Sequence, residues 1–378
     1  MDPPPLLIHL SKTLSLSPPQ SSYPPSSLTG PLTSHTGTAY LFLSVSSSFP
    51  RLQIHSYPAI HWARAYISNI PTPSRAEEEE EEAPPSALGL SDVLAGSAIR
   101  ACVTQDLSHV RTFLTLLSPI AESLRSSPPA ATTLPSCLLH GLSGTLYLLR
   151  LIRHWVPSSA PLVSRYIVHV SDHLLAAPWS CPHASPRGAA DGELGTLTQL
   201  VVTTPPLAPR LEGKLSELLD LQRPDGSWPS QSQGADGQTG VKEEGERPDF
   251  AHGATGLVVS LLSLRPFFPS LQGKIDEVVG RARDFLARNQ GQEAWGEPSL
   301  WYGVLGAALA FPKGETRDAF LSLSSPKNNI PDFTRAADSP PEPPSSSGSV
   351  ATSYDPGAAW MWAVSERDMP RMIFYNDI

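Results

Sequence analysis

The stretch Pro248-Asp249-Phe250-Ala251-His252-Gly253-Ala254-Thr255-Gly256, running into Leu257-Val258-Val259-Ser260-Leu261-Leu262, decides the fold. It reads as a polar residue, then Gly-x-x-Gly, then an apolar helix. The pattern returns at His140-Gly141-Leu142-Ser143-Gly144, at Asp191-Gly192-Glu193-Leu194-Gly195 and at Tyr302-Gly303-Val304-Leu305-Gly306, each followed by an apolar run. Weaker copies stand at Gly37, Gly96 and Gly357. A motif that recurs about every 50 residues outranks local signals, because self-similarity at a fixed period marks stacked supersecondary units.

Each unit reads as two helices. The one that follows the glycines is apolar nearly all round and is expected to be buried. The next is amphipathic: Leu211, Leu215, Leu218 and Leu219 share one helical face, as do Ile275, Val278, Val279, Ala282, Phe285 and Leu286. The seventh unit shows only its first helix, Ala358 to Val364. Strand signals are scarce. The expected fold is all-α, an α/α toroid of seven helical hairpins with buried helices inside and amphipathic helices outside.

Composition narrows the function. The chain has 378 residues, 40 % of them hydrophobic, and a formal charge of −9 with no basic stripe, which argues against a nucleic-acid partner. Its three cysteines, Cys102, Cys137 and Cys181, are too few for a disulfide framework and suggest a reducing compartment. The N-terminus reads as no signal peptide, and no apolar run reaches the roughly 18 residues of a membrane span. A cytoplasmic protein is expected. The forty-one prolines gather in segments that read as loops. Residues 1–27 read as a disordered Pro/Ser-rich N-terminus, and 28–378 as one toroid domain with disordered loops at 71–88, 229–247 and 338–350.

The glycines have two physical uses at the start of a buried helix. Without a Cβ they let chain segments approach closely, and they permit a positive φ in the entering turn. Aligned helix N-termini would then surround one mouth of the ring and favour anions or thiolates there. The residues preceding the glycine pairs, His140, Asp191, His252 and Tyr302, would line that mouth. Asp191 has an ordinary alternative as a helix cap. His140, Asp191 and His252 also make a two-His-one-carboxylate set of the kind that holds iron.

On these residues the chain resembles the lanthionine synthetase C-like (LanC-like) proteins, most closely their eukaryotic, fungal-type members. The resemblance spans residues 29–378. It rests on the glycine repeat, on His252-Gly253-Ala254-Thr255-Gly256, on Asp225-Gly226-Ser227-Trp228-Pro229-Ser230, on Gly188-Ala189-Ala190-Asp191-Gly192 and on the ending Tyr375-Asn376-Asp377. It implies a seven-hairpin toroid. It also implies zinc-assisted addition of a cysteine or glutathione thiol to dehydrated Ser or Thr. This chain departs from the implied machinery. Where the resemblance implies zinc ligands, Ala251, Trp301 and Tyr302 stand, and Asp191 replaces the acid–base His. Alanine has no lone pair and indole no acceptor nitrogen. The expectation is therefore a toroid without zinc or any other cofactor. It would act as a binding or scaffold protein for glutathione, a thiol peptide or an unidentified protein partner, with Asp191 as the replacement catalytic group if any activity remains. An active thiol-adding enzyme is the first alternative. The second is a carbohydrate-active enzyme, with Asp191, Glu193, Asp249 and Asp355 converging beside Trp228, Trp301 and Trp360.

Overall fold

The computed structural model describes residues 5–21, 23, 30–32, 35–68, 88–90, 93–126, 134–179, 187–229, 248–290, 295, 298–323 and 349–378. Of the loops expected at 71–88, 229–247 and 338–350, residues 71–87, 230–247 and 338–348 lie outside these residues, as does Cys181, whereas Leu88, Pro229, Ser349 and Val350 are described and buried. The protein is all-α; among the described residues the sole strand pairing is an antiparallel ladder of Gln53–Ile54 with Tyr57–Pro58. No helix among the described residues is long and apolar enough to cross a membrane.

The helices that begin at the glycine motifs are α2 (His35–Ser48), α4 (Val93–Thr104), α6 (Leu142–Trp155), α8 (Glu193–Thr203), α10 (Ala254–Leu264), α12 (Val304–Leu309) and α14 (Tyr354–Val364). As expected, they are buried around most of their circumference: every residue of α6 from Leu142 to Ile152 is buried. The amphipathic partners are α3 (Ala59–Ile67), α5 (Leu107–Ser126), α7 (Ala160–Ala176), α9 (Ala208–Leu219), α11 (Gln272–Arg288) and α13 (Glu315–Leu323). They bury the faces read from the sequence: Leu211, Leu215, Leu218 and Leu219 in α9, and Ile275, Val278, Val279, Ala282 and Leu286 in α11, where Phe285 of the same face is only half-buried.

The missing partner of α14 comes from the other end of the chain. Residues 5–16, expected to be disordered, form α1 (Pro5–Leu16), which packs on α14. Leu6, Leu10 and Leu14 recur every four residues and bury one face, and His9 Nδ1 lies 2.9 Å from Asp355 Oδ1. Pro5 at the first helical position removes a donor that would have no partner there. The prolines and serines around this segment masked a helical apolar face. Among the buried helices, α2 packs on α4, α4 on α6, α6 on α8, α8 on α10, α10 on α12, α12 on α14, and α14 on α2.

The turns that precede these helices are tied together by main-chain hydrogen bonds. Leu90 N–H donates to Leu139 O at 2.8 Å, Leu138 to Ala190 at 3.0 Å, and Ala190 to Ala251 at 3.0 Å. Ala251 donates to Trp301 at 3.1 Å and Trp301 to Ala351 at 3.0 Å. The second glycine of each motif serves this collar. At Gly144, Gly195, Gly256 and Gly306 a Cβ would overlap the carbonyl oxygen of the residue six positions earlier: Leu138, Ala189, Phe250 and Leu300. The first glycines need no positive φ; Gly141, Gly192, Gly253 and Gly303 are all extended, with φ between −111° and −141°. Close approach, of each turn to its own helix, is thus the use these glycines have.

Inside this arrangement lies the segment Met372-Ile373-Phe374-Tyr375, with all four side chains fully buried. Tyr40 (α2) and Tyr147 (α6) donate to the Asp377 carboxylate at 2.6 and 2.9 Å. Arg150 (α6) and Gln199 (α8) donate to Tyr375 O at 2.8 and 3.1 Å. Ser260 (α10) bonds the Tyr375 hydroxyl at 2.5 Å. Four of the buried helices thus grip one stretch of main chain, satisfying polar groups that would otherwise be stranded in the core.

Candidate functional site

The turns before α8, α10 and α12 bring three of the four expected mouth residues together. His252 sits between two carboxylates. Its Nε2 lies 3.6 Å from Asp191 Oδ2, and its Nδ1 lies 3.6 Å from Asp249 Oδ1. The His252 main-chain N–H donates to the same Asp249 oxygen at 2.8 Å, so Asp249 fixes the turn as well as the ring. The Tyr302 ring stands 6.1 Å from the imidazole, tilted by 35°, and its main-chain N–H donates to Ser299 Oγ at 3.3 Å. Asp249 and Asp191 are buried, and Tyr302 is 37 % exposed at the rim. His140 stands exposed in the turn before α6.

This geometry sets the charges. Burial alone would lower the His252 pKa, but hydrogen bonds and Coulombic attraction from Asp191 and Asp249 outweigh it and raise it to about 9. His252 is therefore an imidazolium at neutral pH. The Tyr302 hydroxyl is pushed up to about 12, first by burial and then by the charges of Asp191 and Asp249. Two carboxylates and one imidazolium leave the mouth with a net negative field. One oxygen of Asp191, Oδ1, is buried and has no hydrogen-bond partner among the described residues.

Asp249, which the sequence placed beside Asp191 only in the carbohydrate-enzyme alternative, belongs to the mouth as a partner of His252. Its signal was the Asp-x-x-His spacing, in which a carboxylate caps the main chain three residues on; only the turn geometry turns that cap into a second partner for the ring.

Part of the donor set at these helix N-termini is not available to an anion. In α6 and α10, amides of the first turn are taken by carbonyls of the entering turns: Leu142 by Pro135 O at 2.9 Å, Ser143 by Ser136 O at 3.2 Å, Thr255 by Pro248 O at 3.2 Å. Gly195, Gly256 and Gly306 donate to Gly188, Asp249 and Ser299 in the same way, at 3.3 to 3.4 Å. The glycines that draw each turn onto its helix consume donors an anion would need.

Positions 251, 301 and 302 are neighbours but form no metal cage. Ala251 and Trp301 are fully buried and joined through main chain. The Trp301 indole packs on Phe250 with ring centroids 5.1 Å apart, and its N–H donates to Ile373 O at 3.4 Å. An alanine methyl and an indole N–H already directed at a carbonyl do not fit zinc. Nor does the His140–Asp191–His252 set assemble: no group of three His, Cys, Asp or Glu with metal-holding geometry occurs among the described residues.

The four carboxylates of the glycosidase reading separate. Asp191 and Asp249 flank His252, whereas Glu193 pairs with Lys214 at 3.0 Å and Asp355 with His9. His252 fills the gap in which a glycosidic bond would have to lie. Trp228, Trp301 and Trp360 are all buried, so none offers a stacking face. The Trp228 indole instead donates to Arg187 O at 3.1 Å, docking the Asp225–Pro229 loop on the turn before α8.

Compared with known proteins, the chain matches no protein-family model and no curated protein.

Proposed function

We propose that the chain is a LanC-like α/α toroid of seven helical hairpins that has lost zinc-dependent thioether formation and acts by binding at the mouth around His252. The ring reading is supported by the order of contacts among the seven buried helices, which returns from α14 to α2, and by α1 supplying the seventh outer helix. The observation that carries the functional reading is the pairing of Ala251 with Trp301 at the two central positions, where the main chain converges but the side chains offer no metal donor. Asp191 serves in this reading as a partner of the His252 imidazolium, not as a base for a thiol. A thiolate is disfavoured beside two carboxylates. The reading puts the protein in the cytoplasm, in keeping with its few cysteines, two of which, Cys102 and Cys137, are buried.

The test is elemental analysis of the purified protein, paired with thiol addition to a dehydroalanine peptide and calorimetry with glutathione and a cysteine-containing peptide. The proposal expects no stoichiometric zinc and no acceleration of thiol addition, with binding measured as heat. One zinc per chain, or accelerated thioether formation, would overturn it.

A further inference from the structure

We infer that the mouth around His252 takes an organic cation, a primary ammonium or guanidinium group, held by Asp191 and Asp249 against the face of Tyr302. This rests on the reading of the mouth as a binding site and names the chemistry that the site selects.

Three observations converge. First, Asp191 is buried, its side chain 11 % exposed, and while its Oδ2 faces His252, its Oδ1 meets no donor among the described residues. A buried carboxylate oxygen is normally satisfied, and one left over at a mouth calls for a donor from outside. Second, the charges do not balance. Asp191 and Asp249 carry two negative charges against the single positive charge of His252, so one further cation neutralises the cluster, whereas an anion would add to the imbalance. Third, the rim is aromatic. Tyr302 is the exposed large side chain beside the cluster, and a phenol face attracts an ammonium or guanidinium. Asp191 Oδ1 lies beneath the surface, so an entering donor displaces a rim group to reach it. The formal charge of −9 draws cations toward the protein at long range.

The chemistry is shared by free polyamines and by lysine- or arginine-bearing peptides, and the experiment separates them. Calorimetry at low ionic strength compares spermidine, acetyl-Ala-Lys-Ala-amide, acetyl-Ala-Arg-Ala-amide and acetyl-Ala-Glu-Ala-amide. The expected result is binding of cationic probes and silence from the glutamate peptide. Asp191→Asn and Asp249→Asn, which keep shape and remove charge, should each weaken the cation by about tenfold. Melting curves establish that each variant is folded, and the His252 imidazole resonance should shift on titration of the wild type. Spermidine binding without peptide binding assigns a free polyamine, and the reverse a basic peptide. Failure of every cationic probe at millimolar concentration, or undiminished binding by both folded variants, overturns the inference. If glutathione binds while the cations do not, the mouth remains a binding site and only its assigned chemistry falls. If neither binds, both readings fall.

Discussion

Replacing Gly256 by alanine should cost far more than a methyl group ordinarily costs. The new Cβ would overlap the Phe250 carbonyl oxygen, lie 3.1 Å from its carbon and stand 2.9 Å from the Ala189 Cβ. The first obstacle is main chain, which no rotamer change can move aside. It is also constrained main chain, because the N–H groups of Phe250 and Ala251 both donate to Trp301 O at 3.1 Å. Relief of the overlap therefore strains or breaks those bonds, each worth about 1 kcal/mol, in addition to the roughly 1–3 kcal/mol of overpacking. The expected loss is about 3–5 kcal/mol. Gly280→Ala supplies the control. Gly280 lies inside α11 with nothing within 4 Å of an added Cβ, so the change should stabilise by about 0.5–1 kcal/mol through helix propensity. Urea denaturation, with midpoints and slopes measured for both variants, reads the difference directly. A Gly256→Ala protein within about 0.5 kcal/mol of wild type would refute the account of the collar.

Three further outcomes follow from the same structure. Leu10→Ala in α1 should destabilise by about 2–5 kcal/mol if that helix is part of the core; an unchanged denaturation midpoint would mean that α1 is peripheral. Asp377→Ala strands the Tyr40 and Tyr147 hydroxyls and should cost about 1–3 kcal/mol for each, whereas Asp377→Asn, which keeps an acceptor, should recover part of the loss. The His252 pKa is raised in the folded protein from 6.5 to about 9, so its contribution is fully present below about pH 6.5 and is lost as pH rises through about 9. Partial exposure brings the stabilisation down to about 1–2 kcal/mol. The His252 ring proton shift should titrate near pH 9, and His252→Gln should flatten the alkaline fall in stability; titration near 6.5 would remove the two-carboxylate clamp.

The buried helices were readable because a glycine pair and an apolar run are local signals, repeated often enough to fix a register. The buried faces of α9 and α11 were readable for the same reason, since a 3.6-residue period needs no knowledge of the partner. Helix α1 was not, because what makes Leu6, Leu10 and Leu14 useful is a surface more than 300 residues away, and composition around them points to disorder. The glycines were recognised for the right property but only half the reason: extended first glycines and a carbonyl seated on each second glycine are facts of packing. At the mouth, His252, Asp191 and Tyr302 come together because the repeat aligns them. Asp249 was grouped with Asp191 only as a carboxylate pair, and its role as charge partner of His252 escaped because a capping residue and a charge partner look alike in sequence. The occupied N-terminal amides escaped because the carbonyls that take them belong to turns without a pattern of their own.

The burial of Phe374 and Tyr375 among α2, α6, α8 and α10, with Asp377 anchored beside them, has a consequence for synthesis. Those helices leave the ribosome long before their central filling does, and until it arrives Tyr40, Tyr147 and Gln199 face an empty interior. A nascent chain arrested short of residue 370 should therefore accumulate as a sticky, protease-sensitive species that chaperones retain, and emergence of residues 372–377 should be the step that makes it compact.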